Sequence, residues 1–309
     1  MNEIFIITGA TGWVGKNFLH ELQKRIKPKE FNDKVFAFGS KTGYVKSTAY
    51  IQSEEIDIPI YPLSSINNMF RNEPNLNVIH TAFLRKEKIK SFGLNQYIEI
   101  NKYITSQVSN LLDTSSDSKV LDISSGAAYI FKNKKSKNQK IENDPYGYLK
   151  LEEENILGSV SKCLVMRIYA LSGKFITTPN LFALGDFILS ALSNKRIVLH
   201  SKKNIIRSYG YAGEIAALGL KFVYLDKFKE KKLILNCANY TTTLLELANK
   251  ISKIYKLPLV ESNIDYSLPE DKYVCELETF QNLLKELDIE PITLEKQIEI
   301  TYNYVKKIL

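Results

Sequence analysis

The chain has 309 residues, 44% hydrophobic and 25% charged, a composition typical of a globular protein and not of a disordered one. Its three cysteines (Cys163, Cys237 and Cys275) lack metal-ligand spacing, which argues against a disulfide framework or a metal site. The net charge of +8 is not gathered into a basic stripe with interleaved aromatics, so we expect no nucleic-acid partner. Apolar runs too short to cross a bilayer predict a cytoplasmic protein without a membrane partner.

Short apolar runs alternate with helical periods in the first half of the chain. The runs predict strands at residues 3–8, 34–38, 56–61, 77–81, 119–124 and 163–169. Helices are predicted at 13–26, 64–71, 94–112 and 146–157, with Ser64 as a cap and a solvated lysine-rich loop at 132–140. This alternation predicts an α/β fold, a Rossmann-type doubly wound parallel sheet with functional groups at the C-terminal strand ends.

The pattern loosens after residue 169. Helices are predicted at 180–193, 214–224 and 244–254, a strand at 232–237, and short elements joined by prolines from 257 onward. We therefore expect a dinucleotide-binding domain formed by residues 1–168 and 208–238. A smaller, mostly C-terminal substrate-binding domain would comprise 169–207 and 239–309.

A glycine-rich turn joins the first predicted strand to the first predicted helix. It reads Thr8-Gly9-Ala10-Thr11-Gly12-Trp13-Val14-Gly15. Gly9 suits a tight turn, Gly12 lets the backbone approach a pyrophosphate, and Gly15 permits close packing of helix on strand. Phosphates would then lie at the helix N-terminus. At the first strand-to-helix junction of an alternating chain, this turn predicts dinucleotide binding.

The end of the second predicted strand bears on which dinucleotide is bound. An acid there commonly binds the ribose hydroxyl of NAD, but this chain reads Gly39-Ser40-Lys41-Thr42. Ser40 and Lys41 can instead donate to a 2′-phosphate, which an acid would repel. The junction therefore favours NADP(H), with NAD as the alternative.

Tyr146 and Lys150 are four residues apart on a predicted helix and share one face. An ammonium beside a phenol stabilises the phenolate, which makes Tyr146 a candidate general acid/base. Ser125 follows a predicted strand, where its hydroxyl could bond a substrate carbonyl oxygen. The glycine-rich turn, the serine and the Tyr/Lys pair follow one another along the chain in this order. That order argues against three chance matches.

These elements resemble the extended short-chain dehydrogenase/reductase family, of the NAD-dependent epimerase/dehydratase type. The turn matches its T-G-x-x-G-x-x-G, and residues 80–83 (His-Thr-Ala-Phe) are similar to its H-x-A-A. Residues 124–129 resemble its S-S-x-x-V-Y, and Tyr146 and Lys150 match Y-x-x-x-K. Residues 206–214 are similar to its R-D-F-V-Y-V-D-D without the aspartates.

The resemblance implies roles for individual residues. The catalytic group would be Ser125, Tyr146 and Lys150. The cofactor would contact the glycine-rich turn, Ser40, Lys41, Thr81, Ala82, Asn101, Tyr146 and Lys150. The substrate would contact Phe83, Ser125, Asn180 and Arg207, with Arg207 on a nucleotide diphosphate. The resemblance also implies a homodimer and a nucleotide-sugar substrate.

The neighbours of Ser125 narrow the expected reaction. Gly126 and Ala127 stand where the family's dehydratases carry an Asp-Glu pair, which disfavours dehydration. With no acid after the second strand, we expect an NADPH-dependent ketoreductase of an NDP-linked deoxyhexose. The alternatives are a nucleotide-sugar epimerase with tightly bound NAD, a reductase of non-sugar carbonyls, and a non-catalytic dinucleotide-sensing protein on the same fold.

Overall fold

The computed structural model describes residues 3–46, 57–133 and 140–309. The chain forms two compact units, one of Met1–Arg167 with Ala216–Leu235 and the other of Ile168–Ile215 with Asn236–Leu309. Within the described ranges, no helix is both long and apolar enough to cross a membrane.

The elements follow the chain in two groups. Up to residue 168 they are β1 (Ile4–Thr8), α1 (Trp13–Gln23), α2 (Pro28–Lys34), β2 (Val35–Gly39), β3 (Gly43–Lys46), β4 (Asp57–Pro62), α3 (Ile66–Met69), β5 (Leu76–His80), α4 (Ile89–Phe92), α5 (Leu94–Asp113), β6 (Lys119–Ser125), α6 (Gly126–Asn133), α7 (Pro145–Val160) and β7 (Lys162–Ile168). After it they are β8 (Ala170–Ser172), α8 (Ala183–Leu192), β9 (Val198–Leu199), β10 (Ile205–Tyr211), α9 (Ala212–Tyr224), β11 (Lys232–Cys237), β12 (Tyr240–Thr243), α10 (Leu244–Tyr255), β13 (Glu261–Ser262), β14 (Asp271–Tyr273), α11 (Glu278–Glu286) and α12 (Leu294–Ile308).

The first unit is built on an eight-stranded sheet in the order β11-β7-β6-β5-β1-β2-β4-β3. β1 pairs in parallel with β2 and β5, β5 with β6, and β2 with β4, whereas β3 pairs antiparallel with β4. Thr8 lies opposite His80, and His80 lies opposite Asp122. The C-terminal ends of β1, β5 and β6 therefore meet at one edge of the sheet, and the predicted α/β class is confirmed.

Burial on both faces explains the sheet. All of β5 is buried, and so are the six residues of β6 from Val120 onward, as expected of parallel strands covered by helices. On one face, strand residues such as Ile6, Val78 and Val120 join Val108 of α5 and Leu157 of α7 in one apolar cluster. That packing holds α5 and α7 beside the edge where the strands end.

The second unit contains a small sheet around β10, which pairs antiparallel with β12 and parallel with β14 and β8. Helix α10 begins with a capping box, in which the Thr243 hydroxyl accepts from the Glu246 amide and the Glu246 carboxylate accepts from the Thr243 amide. Buried faces of α11 and α12, including Phe280 and Ile298, complete its core.

Two predicted segments have a different secondary structure from the one expected. The helix predicted at 64–71 is a 3₁₀ turn (Leu63–Ser65) followed by the single turn α3, and no serine caps either one. Ser65 instead donates its hydroxyl to the carbonyl of Pro62. Part of the predicted 132–140 loop belongs to α6, and residues 134–139 lie outside the described residues.

The C-terminal region is more regular than its prolines indicate. Where short elements are predicted, α12 runs for 15 residues and buries a helical stripe of Leu294, Gln297, Ile298, Thr301 and Val305. Two polar positions in that stripe obscure the apolar period. The strand β10 is also missed, because Arg207 and Ser208 interrupt its apolar residues.

Candidate active site

The glycine-rich turn has the close contacts that require glycine. Gly9 has φ +70°, and a Cβ there would lie 2.7 Å from the amide nitrogen of Ala82. A Cβ on Gly15 would lie 2.4 Å from the carbonyl oxygen of Gly9, so the start of α1 packs directly on the turn. Gly12 precedes α1 as its N-cap without a side-chain cap bond, and no acid stands in the first turn. The helix N-terminus therefore suits an anion.

A cavity of about 510 Å³ opens above this turn. Its walls come from the turn and from the ends of β2, β4 and β5 with the facing side of α5: Gly9, Thr11, Gly12, Phe38, Gly39, Ser40, Pro62, Leu63, Ser64, Thr81, Ala82, Phe83, Leu84, Ile100, Tyr103 and Ile104. Among these described residues there is no carboxylate. The volume lies in the range of cofactor and ligand sites.

The other predicted cofactor residues differ in placement. Trp13 is buried and Val14 half-buried in the first turn of α1, while Ser40 lines the cavity and Lys41 is exposed beside it. The buried Asn101 side chain accepts from the Leu84 amide at 2.8 Å and donates to the Tyr97 carbonyl at 3.0 Å. These bonds position the segment after β5, and both ends of the Asn101 side-chain amide are hydrogen-bonded to the main chain.

Tyr146 is placed by the start of α7. Asp144 is the N-cap, with its carboxylate accepting from the Gly147 amide at 3.0 Å, and Pro145 occupies the first helical turn. A Cβ on Gly147 would lie 2.9 Å from the Ala127 carbonyl, so this turn packs closely on α6. The Tyr146 ring meets Phe83 edge to face, with centroids 5.5 Å apart. Asp144 is not among the residues predicted from sequence, although Asp-Pro before a helix is a recognisable start signal.

The cap leads to a stability prediction. We expect Asp144→Ala to lower the free energy of unfolding by about 0.5–2 kcal/mol, because a helix-terminal amide loses its acceptor. Asp144→Asn keeps an acceptor oxygen and should retain most of the stability, as measured by urea unfolding of both variants. Equal losses in the two variants would show that charge, and not capping, is what Asp144 contributes.

Lys150 is 3% exposed, and its ammonium has three kinds of partner. Nζ donates to the Ile123 carbonyl at 2.8 Å and to Glu153 Oε1 at 2.6 Å. It also lies 4.1 Å from the centroid of the Phe83 ring, within cation–π range. Burial lowers the pKa of Lys150, but the acidic surroundings, the charge of Glu153 foremost, outweigh burial and raise that pKa above its ordinary value. Lys150 therefore remains a cation.

A chain of polar contacts links Lys150 to the glycine-rich turn. Glu153 Oε2 lies 3.3 Å from His80 Nε2 and accepts from the Thr105 hydroxyl at 3.3 Å. His80 Nδ1 lies 2.7 Å from the hydroxyl of Thr8, the last residue of β1. With Nε2 protonated, the ring donates to Glu153 and accepts from Thr8. These buried groups connect the turn, β5, α5 and α7.

The serines at the end of β6 have different surroundings. Ser125 is buried, and its hydroxyl accepts from the Ala127 amide at 3.3 Å. Ser124 donates to Glu154 Oε1 at 2.6 Å. Glu154 also receives two hydrogen bonds from Arg167, at 2.8 and 2.7 Å. Glu153 and Glu154 are not among the site residues predicted from sequence.

The second unit contains a cavity of about 350 Å³, and one of the two predicted substrate residues of this unit lies in its wall. Arg207 lines it and donates through Nη1 to the carbonyl of Asp271 at 2.7 Å and to its carboxylate at 3.0 Å. The wall is mostly aliphatic but includes the aromatic residues Tyr169 and Tyr273, whose ring centroids are 4.9 Å apart. Asn180 is exposed in a 3₁₀ turn, next to the lining residue Leu181.

Comparison with known proteins identifies one family. The model of the NAD dependent epimerase/dehydratase family matches residues 5–238. No curated protein matches the chain.

Solved structures match over nearly the whole length. A UDP-N-acetylglucosamine 4-epimerase from Methanobrevibacter ruminantium, in complex with UDP-N-acetylmuramic acid, has a TM-score of 0.74 at 16% identity, covering 100% of this chain and 99% of that one. A Thermus thermophilus UDP-glucose 4-epimerase in complex with NAD has a TM-score of 0.69 at 16% identity, covering 99% of each chain. A Bacillus cereus UDP-glucuronic acid 4-epimerase, in complex with UDP-glucuronic acid and NAD, scores 0.69 at 17% identity with the same coverage. At these identities the likeness establishes the fold.

Proposed function

This chain belongs to the NAD-dependent epimerase/dehydratase family of extended short-chain dehydrogenases/reductases, which are NAD-dependent enzymes. From that premise we propose that it is an NADPH-dependent ketoreductase acting on an NDP-linked deoxyhexose. The observation that carries the choice of cofactor is the absence of a carboxylate from the described cavity wall, including the end of β2. An acid at that place would repel a 2′-phosphate, whereas Ser40 and the adjacent Lys41 can donate to one.

The residues present fit a dinucleotide. Gly9 and Gly15 keep the turn free of side chains, and the uncapped start of α1 directs amide groups towards the place a pyrophosphate would take. Ser40 would hold the 2′-phosphate, and the apolar wall of Pro62, Leu63 and Ile100 suits an adenine ring. When bound, the dinucleotide supplies hydride exchange at a carbon of the substrate.

The chain's own residues would handle the proton and the carbonyl. Tyr146 would donate its phenolic proton to the oxygen of the ketone, and Ser125 would orient that oxygen by a hydrogen bond. Lys150 would stabilise the resulting phenolate through its positive charge, which the surrounding carbonyl, carboxylate and ring hold in place. The Phe83 ring, in contact with both Tyr146 and Lys150, would limit the space open to the substrate.

Arg207 would bind the diphosphate of the substrate, because its guanidinium lines the cavity of the second unit. Its bonds to Asp271 fix its position and partly neutralise its charge. The tilted aromatic side chains of the same wall suit a nucleotide base. Asn180 is exposed and directly precedes the lining residue Leu181 in the chain. It would contact the sugar.

The second candidate is a nucleotide-sugar epimerase with tightly bound NAD. The observation in its favour is that the similar solved structures include UDP-sugar 4-epimerases, two of them in complex with NAD. Both candidates use the same Tyr146 and Lys150. They differ in whether reduced cofactor is consumed and in whether the purified protein retains the dinucleotide.

A thermal-shift titration with NADPH, NADH and a panel of NDP-sugars tests the proposal. Ligand at 100 times its Kd stabilises the folded state by about 2.7 kcal/mol, so preference appears as the larger shift. We expect NADPH to outperform NADH, and an NDP-hexose to add a further shift. Ser40→Asp is the matched control, in which the new acid should reverse the preference. A shift with NADH alone, or NAD released on denaturation without consumption of NADPH, would favour the epimerase.

A further inference from the structure

Three buried carboxyl groups lie behind Tyr146, but the same region provides only two permanent cations among the described residues. Glu154 is neutralised by Arg167, which donates to both of its oxygens. Glu153 is paired with Lys150. Asp122, at the middle of β6 and 0% exposed, has no hydrogen-bond partner for either carboxylate oxygen within the part of the chain that the structure describes. An unpaired buried carboxylate is costly, so the charge on Asp122 must be removed or balanced.

The neighbour that can satisfy Asp122 is itself a carboxylate. Asp122 lies opposite His80 in the sheet, and the His80 ring contacts Glu153, which places the two acids in one buried cluster. A proton on either acid gives it a donor for the other, and burial together with the charge of Glu153 raises the pKa of Asp122 well above its ordinary value. Burial acts on Glu153 in the same direction, but the Lys150 ammonium and His80 outweigh it and bring the pKa of Glu153 down to about 2. The proton therefore resides on Asp122 and the charge on Glu153.

We propose that Asp122 and Glu153 hold one proton between them and together supply the single negative charge that keeps Lys150 protonated. Both are positioning residues that act through Lys150. The part of the proposal that concerns turnover rests on the proposed function, whereas the shared proton does not. If Glu153 loses its charge, Asp122 can release its proton and take over as the anion beside Lys150.

Other titratable groups face the pair from every packed element. His80 on β5 bonds Glu153 and Thr8, so its ring already has partners on both nitrogens. Cys163 on β7 is a buried thiol whose pKa is raised by burial, which keeps it neutral. Tyr146 and Glu154 complete the surroundings on α7, and Glu154 is engaged by Arg167. Among these groups, a protonated His80 is the one alternative source of balancing charge.

The sign of the pH dependence follows from Asp122. In the unfolded chain an aspartate releases its proton near pH ~3.9, but the folded state keeps it. Above that pH the folded protein binds the extra proton, so the contribution of Asp122 to stability falls as pH rises towards its folded pKa. Asp122→Asn has no such proton. Its stability relative to the natural chain should therefore increase with pH.

Infrared spectroscopy of the whole protein at neutral pH tests the shared proton without cofactor or substrate. In difference spectra against the natural chain, we expect Asp122→Asn and also Glu153→Gln to lose a band of a protonated carboxyl, because Asp122 ionises when Glu153 can no longer carry the charge. The difference removes the contribution of Glu214, whose pKa burial raises to about 7. Glu152→Gln, on the same helix and half-buried, is the control that keeps the band. A difference spectrum in which either Asp122→Asn or Glu153→Gln loses no such band would overturn the proposal.

A double-mutant cycle measures the compensation. Asp122→Asn should lower Tm by no more than ~2 °C, whereas the double variant leaves Lys150 without a buried anion and should lose more than ~5 °C beyond the sum of the single changes. Additive losses would contradict the proposal, as would a large loss in Asp122→Asn alone, which would indicate a charged Asp122 balanced by His80. If the proposed function holds, each single variant keeps turnover within about tenfold. If the natural chain shows no turnover, the proposed ketoreductase function is contradicted, but the infrared result still stands.

Discussion

Tyr146→Phe is expected to lower turnover by about 10²–10⁴-fold, the loss typical of a missing general acid/base. The substitution removes only the phenolic oxygen. The ring that meets Phe83 edge to face is kept, so the start of α7 and the segment after β5 should stay in place. Steady-state rates with NADPH and the NDP-sugar identified by thermal shift give the measurement. Cofactor binding, followed as the shift produced by NADPH, should be unchanged.

The same helix offers a matched control. Tyr148 lies two residues further on, and its ring packs against Phe131 with centroids 5.7 Å apart. Tyr148→Phe should therefore retain turnover. Because proton transfer is needed in both a reductase and an epimerase, the outcome tests the role of Tyr146 whichever reaction is catalysed. Turnover within about threefold of the natural chain in Tyr146→Phe would refute that role.

Local signals were enough to predict the parts of the first unit on which the family assignment rests. A strand followed by a glycine-rich turn and an amphipathic helix is a contiguous pattern, and β1 and α1 begin within one residue of their predicted starts. The resemblance to the extended short-chain dehydrogenase/reductase family is confirmed by the family match over residues 5–238. The roles assigned to Ser125, Tyr146 and Lys150 stay predictions.

The charges behind the site could not be predicted from local pattern. Residues 152–154 read Glu-Glu-Glu, which is typical of a solvated helix face. The structure leaves Glu152 partly exposed and buries Glu153 and Glu154, because the packing of α7 on β6 and α5 decides which face is covered. The bond from Arg207 to Asp271 spans 64 residues and is equally invisible in sequence.

Arg167→Met is expected to lower the free energy of unfolding by about 3–5 kcal/mol, the usual cost of leaving one member of a buried ion pair without the other. The guanidinium of Arg167 donates through Nε and Nη2 to the two oxygens of Glu154, whose side chain is 0% exposed. In the variant, Ser124 remains as a donor to Glu154. A single hydroxyl cannot balance a buried charge. Urea unfolding at neutral pH gives the measurement.

The double variant Arg167→Met with Glu154→Leu separates the charge from the packing. It removes both charges, and replacing a buried pair by apolar groups of similar size is often close to neutral, so most of the loss should be recovered. Arg167→Lys keeps the charge but not the two-point bond. Its loss in free energy of unfolding should therefore lie between those of Arg167→Met and the double variant. A loss below about 1 kcal/mol in Arg167→Met would show that water reaches Glu154. The charge balance proposed for Asp122, Glu153 and Lys150 would then fail as well, because it assumes that Arg167 neutralises Glu154.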